Sequence, residues 1–515
     1  DIHDNTIIEY TYEKTSPRVF NFQNWDFQDD IPKIRSEFEA IIPANYSYNV
    51  ILRGYYKLTN TKSKLLNEDV NIHGWKLNSS DMTYIMENIP AFIEEDYMTA
   101  ASNFKSAIYY ELSDVMQPSG AIIKYTKSWK DVEHTLWDDR NFGKQLRENT
   151  YKNIIPTIIA GKQDNLSKAK AIYQYIQKQI KWNKRLGIFS ESTIDDALKK
   201  HSGNVADVNI SLINALNEAK IQSEAFILST RQNGVPNKLN PVLSDFNYII
   251  AKATIDGNSY LLDATDPNLG FGIIPMRCLN DSGRVMPYKK DSYWDAIAPS
   301  MRADKTLTMN AKLEPDGRLI GKIQIKSLEY EAYKRRTLIK EYSNLDDFVD
   351  KHLIPSFGKF KVKDYTITGV DSSDEDIVEE YNFELKLFEG LSYSKLSFNP
   401  FLLDKITKNP FNLNDRNYPI DLGIKSTSSS KINIEVPSDF EIVSNPTNIH
   451  LVLPNKEAVF INSDKLDSNH HLNAEYIVQF NNTKFSPSDY SLLKEFFSRI
   501  IQLEKTDIVF KRKDK

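Results

Sequence analysis

The sequence predicts an α+β protein in which β-rich ends flank a central stretch of helices and a hairpin. Three observations carry this prediction. Both ends of the chain contain short runs rich in Ile, Val, Tyr and Thr, which suit a half-buried pleated surface. The centre carries apolar residues at helical spacing, as at Ala169, Ile172, Tyr173, Ile176 and Ile180. Asp256-Gly257, between two strand-like runs, is a strong signal for a two-residue turn. The chain has 515 residues, 40% hydrophobic and 11% aromatic. That is material for about three domains, placed at 1–150, 151–300 and 301–515.

Composition excludes several classes. A net charge of −5 gives no electrostatic case for nucleic acid. A single cysteine, Cys278, rules out an internal disulfide framework. No run of roughly 18 apolar residues is present, so no transmembrane helix is expected, and no signal peptide is visible at Asp1. Phosphate-binding glycine loops and dinucleotide fingerprints are absent.

In the first region, DNTIIEYTYEKTS, YSYNVILRGYYKLT and SAIYYELS read as strands, and SWKDVEHTLW from Ser128 as a short capped helix. A longer helix runs from Asn165 and ends near Trp182. A tryptophan at such a helix end either packs in a core or lines a cleft.

The stretch from His201 to Pro267 is the most informative. Asn204 is a good N-cap, and Asp207, three residues on, can reach back to a free amide. Val205, Val208, Leu212, Ile213, Leu216 and Ala219 then follow helical spacing. Val205 is the first residue inside this helix. A cysteine there would have its thiolate favoured by the helix N-terminus; a valine carries no nucleophilic atom.

If Asp256-Gly257 forms the hairpin loop, Ile255 faces Asn258, Ile250 faces Asp263 and Tyr248 faces Thr265. Tyr248, Ile250, Asp263 and Thr265 then share one face. Tyr248 and Asp263 are diagonal neighbours about 7–8 Å apart at the backbone, where a base and its orienting carboxylate would lie. A phenol, with a reference pKa of about 10, cannot serve as that base near neutrality. The Tyr248 hydroxyl is expected to bond Asp263 or solvent.

In the last region, KTLTMNAKLEPDGRLIGKIQIKS reads as a hairpin turning at Pro315-Asp316-Gly317. LEYEAYKRRTLIKEY reads as a helix whose alternating charges form a solvated face. RNYPIDLG, KINIEVPSDFEIV and HLNAEYIVQF read as strands, and the last residues as a capped helix and a final strand. The acidic run DSSDEDIVEE lacks the glycine and spacing of a calcium loop and reads as a solvated turn. His470 and His471, near Asp464 and Asp467, would point to opposite faces of a strand and so cannot chelate together.

Taken in order, IKWN, DDALKKHSG, HSGNVADVNISL, DFNYIIAKATIDGNSYLLDATDP and NLGFGIIPMRCLN resemble the core of bacterial transglutaminase-like (papain-like) proteins. TIIEYTY and NIPAFIEEDYM, with Pro90, Ala91, Glu94 and Met98, resemble the β-rich domain of unknown function that precedes that core. The phrases after residue 301 resemble the family's C-terminal part. The resemblance implies a transglutaminase-like core between N-terminal and C-terminal β-sandwich-like domains. It implies a first domain that lacks an upstream portion or is a shorter copy, and a last region of one or two subdomains.

In that family a cysteine opens the helix, a histidine sits on the first hairpin strand and an aspartate on the second. Those positions here are Val205, Tyr248 and Asp263. The resemblance therefore implies a degenerate triad pocket with no catalytic residue, no cofactor and no metal. Trp182, His201 and Ser202 would line its cleft, and Cys278 would be a small buried residue. The implied role is an extracytoplasmic binding or scaffold protein, periplasmic or at the cell surface, for a peptide, protein or glycan. The competing expectation is a peptidase or amidase with another nucleophile. Its candidate is the pair His201 and Ser202, assisted by Asp245 or Asp266. No histidine lies between 201 and 352, so the hairpin itself has no imidazole.

Overall fold

The computed structural model describes residues 6–12, 22–72, 74–125, 128–238, 241–298, 301–357, 360–387, 395–401 and 405–513. Helices and several β-sheets are mixed along the chain, an α+β architecture. The chain divides into two compact units. The first holds the described residues up to Ile93 and from Ser102 to Ser128; the second holds Glu94–Ala101, Trp129–Lys238 and Val242 onward.

The first unit is β-rich. Trp75–Ile89 is the central strand of an antiparallel sheet, between Lys33–Pro43 and Asn60–Ile72. Ala107–Met116 pairs with Tyr46–Arg53 on one side and with Trp25–Asp26 on the other. Phe27, Ala40, Tyr84, Met86, Ile89, Ile108 and Tyr110 form its core. Residues 6–12, read as strand from their composition, are not in a strand. Ile7, Ile8, Tyr10 and Tyr12 are exposed, and β-propensity without a partner ladder does not make a strand. The remainder of that run, 4–5 and 13–16, lies outside the described residues.

Residues 129–150, grouped with the first region in the sequence, pack in the second unit. Val132, Leu136, Phe142 and Leu146 share a core with Val205, Leu212 and Ile250. Helix α1 (Asn165–Gln179) starts where the Asp164 side chain accepts from the Ser167 amide at 2.8 Å. Helix α2 (Ile194–Lys200) is capped by Thr193 and stopped by His201, whose φ of 52° is left-handed. Helix α3 (Val205–Glu218) begins with the expected reciprocal cap, Asn204 and Asp207 each bonding the other's amide at 2.8 Å. Gly203 must be glycine, because a Cβ there would lie 2.4 Å from the Asp207 Cβ.

Every residue of α3 from Val205 to Leu216 is buried. It packs on an antiparallel sheet of β1 (Ser223–Leu228), β2 (Tyr248–Ile255), β3 (Asn258–Leu262), β4 (Ser282–Met286) and β5 (Tyr293–Ala296), in the order β3-β2-β1-β4-β5. The hairpin register is the expected one: Ile255 faces Asn258 and Ala251 faces Leu262.

The rest of the second unit is built on one eight-stranded sheet. Its strands are β6 (Ala303–Leu313), β7 (Arg318–Leu328), β8 (Phe360–Thr368), β9 (Ile377–Lys386), β10 (Ser426–Glu435), β11 (Ile449–Val452), β12 (Ala458–Leu466) and β13 (His471–Phe480). The order is β8-β9-β7-β6-β10-β13-β12-β11, with only β6 and β10 parallel. Helix α4 (Glu329–Ile339) follows β7, and helix α5 (Tyr490–Glu504) packs Leu493, Phe496, Phe497 and Ile500 against Phe460 and Phe480.

Four sequence expectations are corrected here. The charges of α4 are not all solvated. Arg336 is buried and donates to the carbonyls of Asn268 and Gly369, and Arg335 holds the buried Glu379 in two bonds of 2.6 and 2.7 Å. Glu379 belongs to the acidic run read as a solvated turn; Ile377 onward is strand β9. Of RNYPIDLG, only Ile420–Asp421 is strand. His470 sits in the turn before β13 with φ 62°, not on a strand.

A segment far away in sequence is built into the last region. The fully buried Arg416 lies 3.4 Å from Glu95 and donates to the carbonyls of Asp96 and Tyr97. Glu95 also accepts from the amides of Asn412 and Leu413 and from the Tyr490 hydroxyl. Among the described residues no helix is long and apolar enough to cross a membrane.

Candidate functional site

The structure brings Tyr248 and Asp263 together. Both are fully buried. The Tyr248 hydroxyl donates to Asp263 Oδ2 at 2.7 Å and lies 3.2 Å from the Thr265 hydroxyl. This follows from the hairpin: the ladder runs to Ala251–Leu262, and continuing the alternation puts all three side chains on one face. The Thr265 amide donates to Asp263 Oδ1 at 2.9 Å.

Helix α3 contributes from the other side. Asn209 donates to Asp263 Oδ1 at 3.0 Å and to the Ile249 carbonyl at 2.8 Å, and accepts from the Ala264 amide at 2.9 Å. All of its hydrogen-bonding capacity but one lone pair is used, as a fully buried amide requires. Val205 lies one turn before Asn209 on the same helix face and is itself fully buried.

Arg277 closes the cluster. Its Nε and Nη2 donate to the Tyr248 hydroxyl at 3.1 and 2.7 Å, and Nη2 donates to Thr265 at 2.8 Å and stands 3.7 Å from Asp263. Its guanidinium lies 4.5 Å from the centre of the Trp182 ring and 5.3 Å from that of Tyr248. The backbone amide of Arg231 donates to the Arg277 carbonyl at 2.8 Å and fixes its position.

Trp182 packs at the edge of the core. It is half-buried, with Arg277 and Lys184 against its ring and its Nε1 donating to the Arg185 carbonyl.

The electrostatics follow from burial. Burial, and then the Asp263 carboxylate, push the Tyr248 phenol well above its ordinary value. Burial works against the Arg277 charge, but Tyr248 and Asp263 more than offset it and the guanidinium is held charged. The Cys278 thiol is fully buried, as expected, and burial followed by Asp263 drives it upward, so it is protonated at neutral pH.

His201 and Ser202 are not joined to this cluster or to each other among the described residues. Both are exposed. The His201 Nδ1 donates to the Gln179 carbonyl at 2.9 Å, and Ser202 pairs with Lys181 in a two-residue parallel ladder. Asp245 accepts from the Asn237 amide, and Asp266 from the Asn268 amide and the Tyr333 hydroxyl.

The fold has known counterparts. Over 95% of this chain and 74% of the other, it is similar to the crystal structure of a putative protease from Parabacteroides distasonis, with a TM-score of 0.53 and 13% identity. A putative cysteine protease from Cytophaga hutchinsonii aligns over 53% of this chain and 88% of its own, at 11% identity, with a TM-score of 0.21. The first likeness shows a shared fold; the second is too weak to argue from. Residues 393–510 match DUF3858, a domain of unknown function with a solved structure. No curated protein matches the chain by sequence.

Two residues of the site escaped the sequence reading. Asn209 carried a signal: a polar residue inside the apolar stripe of a buried helix needs partners. Arg277 carried almost none, since its contacts reach across 12 to 95 positions of chain. Chemically, the cluster is a buried carboxylate whose oxygens are met by a phenol, an amide, a backbone N–H and a guanidinium. Such a group is saturated; among the described residues no imidazole adjoins it, and the Cys278 thiol beside it is held protonated by burial.

Proposed function

We propose that this chain is a catalytically inactive transglutaminase-like protein, with its core at 151–300, joined by the 129–150 segment that packs into it, between two β-rich regions. It acts as a binding or scaffold protein for a peptide, protein or glycan, which docks on the rim above the buried, degenerate pocket of Val205, Tyr248 and Asp263. Trp182 and the part of Arg277 that stays accessible line that rim, with His201 and Ser202 on the exposed stretch leading into α3. We further propose that it acts outside the cytoplasm of a bacterium, in the periplasm or at the cell surface, a reading whose support is the family resemblance.

One observation carries the reading. The carboxylate that would orient a catalytic imidazole is bonded instead to a phenol, 2.7 Å away, that an arginine locks in place. A phenol pushed above its usual range is neither base nor nucleophile at neutral pH. The test is a screen of the whole chain for peptidase, amidase and transamidation turnover. No turnover is expected. Turnover that disappears on substitution of Val205 or Tyr248 overturns the reading.

The second reading is a peptidase or amidase with another nucleophile, and the likeness to a putative protease favours it at the level of fold. Cys278 is its only thiol, beside Asp263 and Arg277 electrostatically but fully buried. Turnover abolished by Cys278→Ser and retained in the Tyr248 and Val205 variants would select it.

A further inference from the structure

Away from the Tyr248–Asp263 cluster, the second unit contains a cavity of about 310 Å³ between the end of β5 and the strand at Ile420–Asp421. That is the lower end of the size range of small-molecule pockets. Leu279 and Ile297, both buried, give it an apolar floor. Its two carboxylates are already matched inside the protein. Asp421 Oδ1 is 3.1 Å from Arg231 Nη1 and accepts from the Gly423 amide at 2.8 Å. Asp281 is met by Lys238 at 2.9 Å and Lys484 at 3.3 Å, and these lysines, the Lys238 bond foremost, hold its carboxyl below the usual range.

Two donors on the wall are unused. Among the described residues the Lys425 amine has no ion-pair or hydrogen-bond partner, and neither has the Thr483 hydroxyl. The wall itself carries two lysines, Lys425 and Lys484, and two carboxylates, Asp281 and Asp421; with Arg231 on Asp421 and both Lys238 and Lys484 on Asp281, Lys425 is the charge left over. We propose that this cavity binds a small organic carboxylate with a short apolar body. Lys425 is its counter-ion, Thr483 donates to its second oxygen, and the Leu279–Ile297 floor takes the apolar part. Phosphate fits less well. Phosphate sites rely on arginine forks or helix N-termini, and the one guanidinium here is committed to Asp421 and to the Leu279 carbonyl. The site is independent of any role of the degenerate cleft.

The test is calorimetric titration of the full chain with N-acetyl-alanine, with its neutral methyl amide and with inorganic phosphate. Saturable binding of the acid is expected, with no response to the amide. Lys425→Gln should weaken the acid by about tenfold or more while leaving the thermal midpoint of the free protein unchanged. Thr483→Val should weaken it by a smaller factor. Equal binding of acid and amide, phosphate binding as tight as the acid, unchanged affinity in Lys425→Gln, or no saturation by about 10 mM acid would each overturn the proposal.

Discussion

The Tyr248 hydroxyl donates to Asp263 across 2.7 Å in a site closed to solvent. A buried carboxylate loses heavily if any one of its donors is removed, because the remaining charge has nowhere to go. The stability of the core sheet and the inertness of the pocket are therefore the same property.

Tyr248→Phe removes one donor to Asp263 and the acceptor for Arg277 without changing shape. A hydrogen bond to a charged group contributes about 1.5–3 kcal/mol, and a loss of that size is expected in urea unfolding of the variant. A change below about 0.5 kcal/mol, the usual scale of an inconsequential surface substitution, would mean that the phenol does not hold the carboxylate.

Alkaline pH should unfold the protein through its buried phenols. Burial, then nearby Asp263, raises Tyr248 and Tyr173 above their unfolded value near 10. The folded state thus holds protons that the unfolded state releases. Stability is fully present below about pH 10 and falls as pH rises beyond it. Absorbance titration near 295 nm should show a subset of tyrosines that ionise only together with loss of structure. Smooth titration of every tyrosine in the folded protein would contradict this.

Asn204→Ala should cost about 1–2 kcal/mol, at the upper end for an N-cap. The side chain also donates to the Phe189 carbonyl at 2.9 Å in a buried setting. Asn204→Ser should recover most of the cap. Thermal midpoints of the three proteins decide it.

Glu379→Ala leaves Arg335 charged under α4 without its partner, and a loss of about 3–5 kcal/mol is expected. Arg335→Ala should cost a similar amount, and the double variant less than the sum of the two. Additive losses in a denaturation cycle would show that the pair does not act as one unit.

Cys278 should resist disulfide-exchange reagents in the folded protein and react at once in denaturant, since it is buried and protonated. Rapid labelling of the native chain at neutral pH would show an open path to the pocket.

What the sequence made legible was local. The cap at Asn204 and Asp207 and the register about Asp256-Gly257 depend on neighbours within a few residues, and both formed as read. The face shared by Tyr248 and Asp263 followed from the register alone. Arg277 did not, because an arginine in a single 3-10 turn, 29 positions from Tyr248, has no periodicity to betray it. Glu379 and Arg335 were read as solvated because charge runs usually are. Their burial is decided by what packs over them, and that is not written in their own neighbourhood. Residues 6–12 show the reverse error, composition suggesting a strand where no ladder forms.

The clasp between Glu95 and Arg416 bears on how this chain can be cut. A fragment excised at 393–510, the extent of the DUF3858 match, would keep the arginine and discard the carboxylate, stranding a cation in its interior. Boundaries drawn by sequence likeness and boundaries drawn by electroneutrality disagree here by some three hundred residues. An expression fragment that honours the second would have to carry the strip 94–101 along.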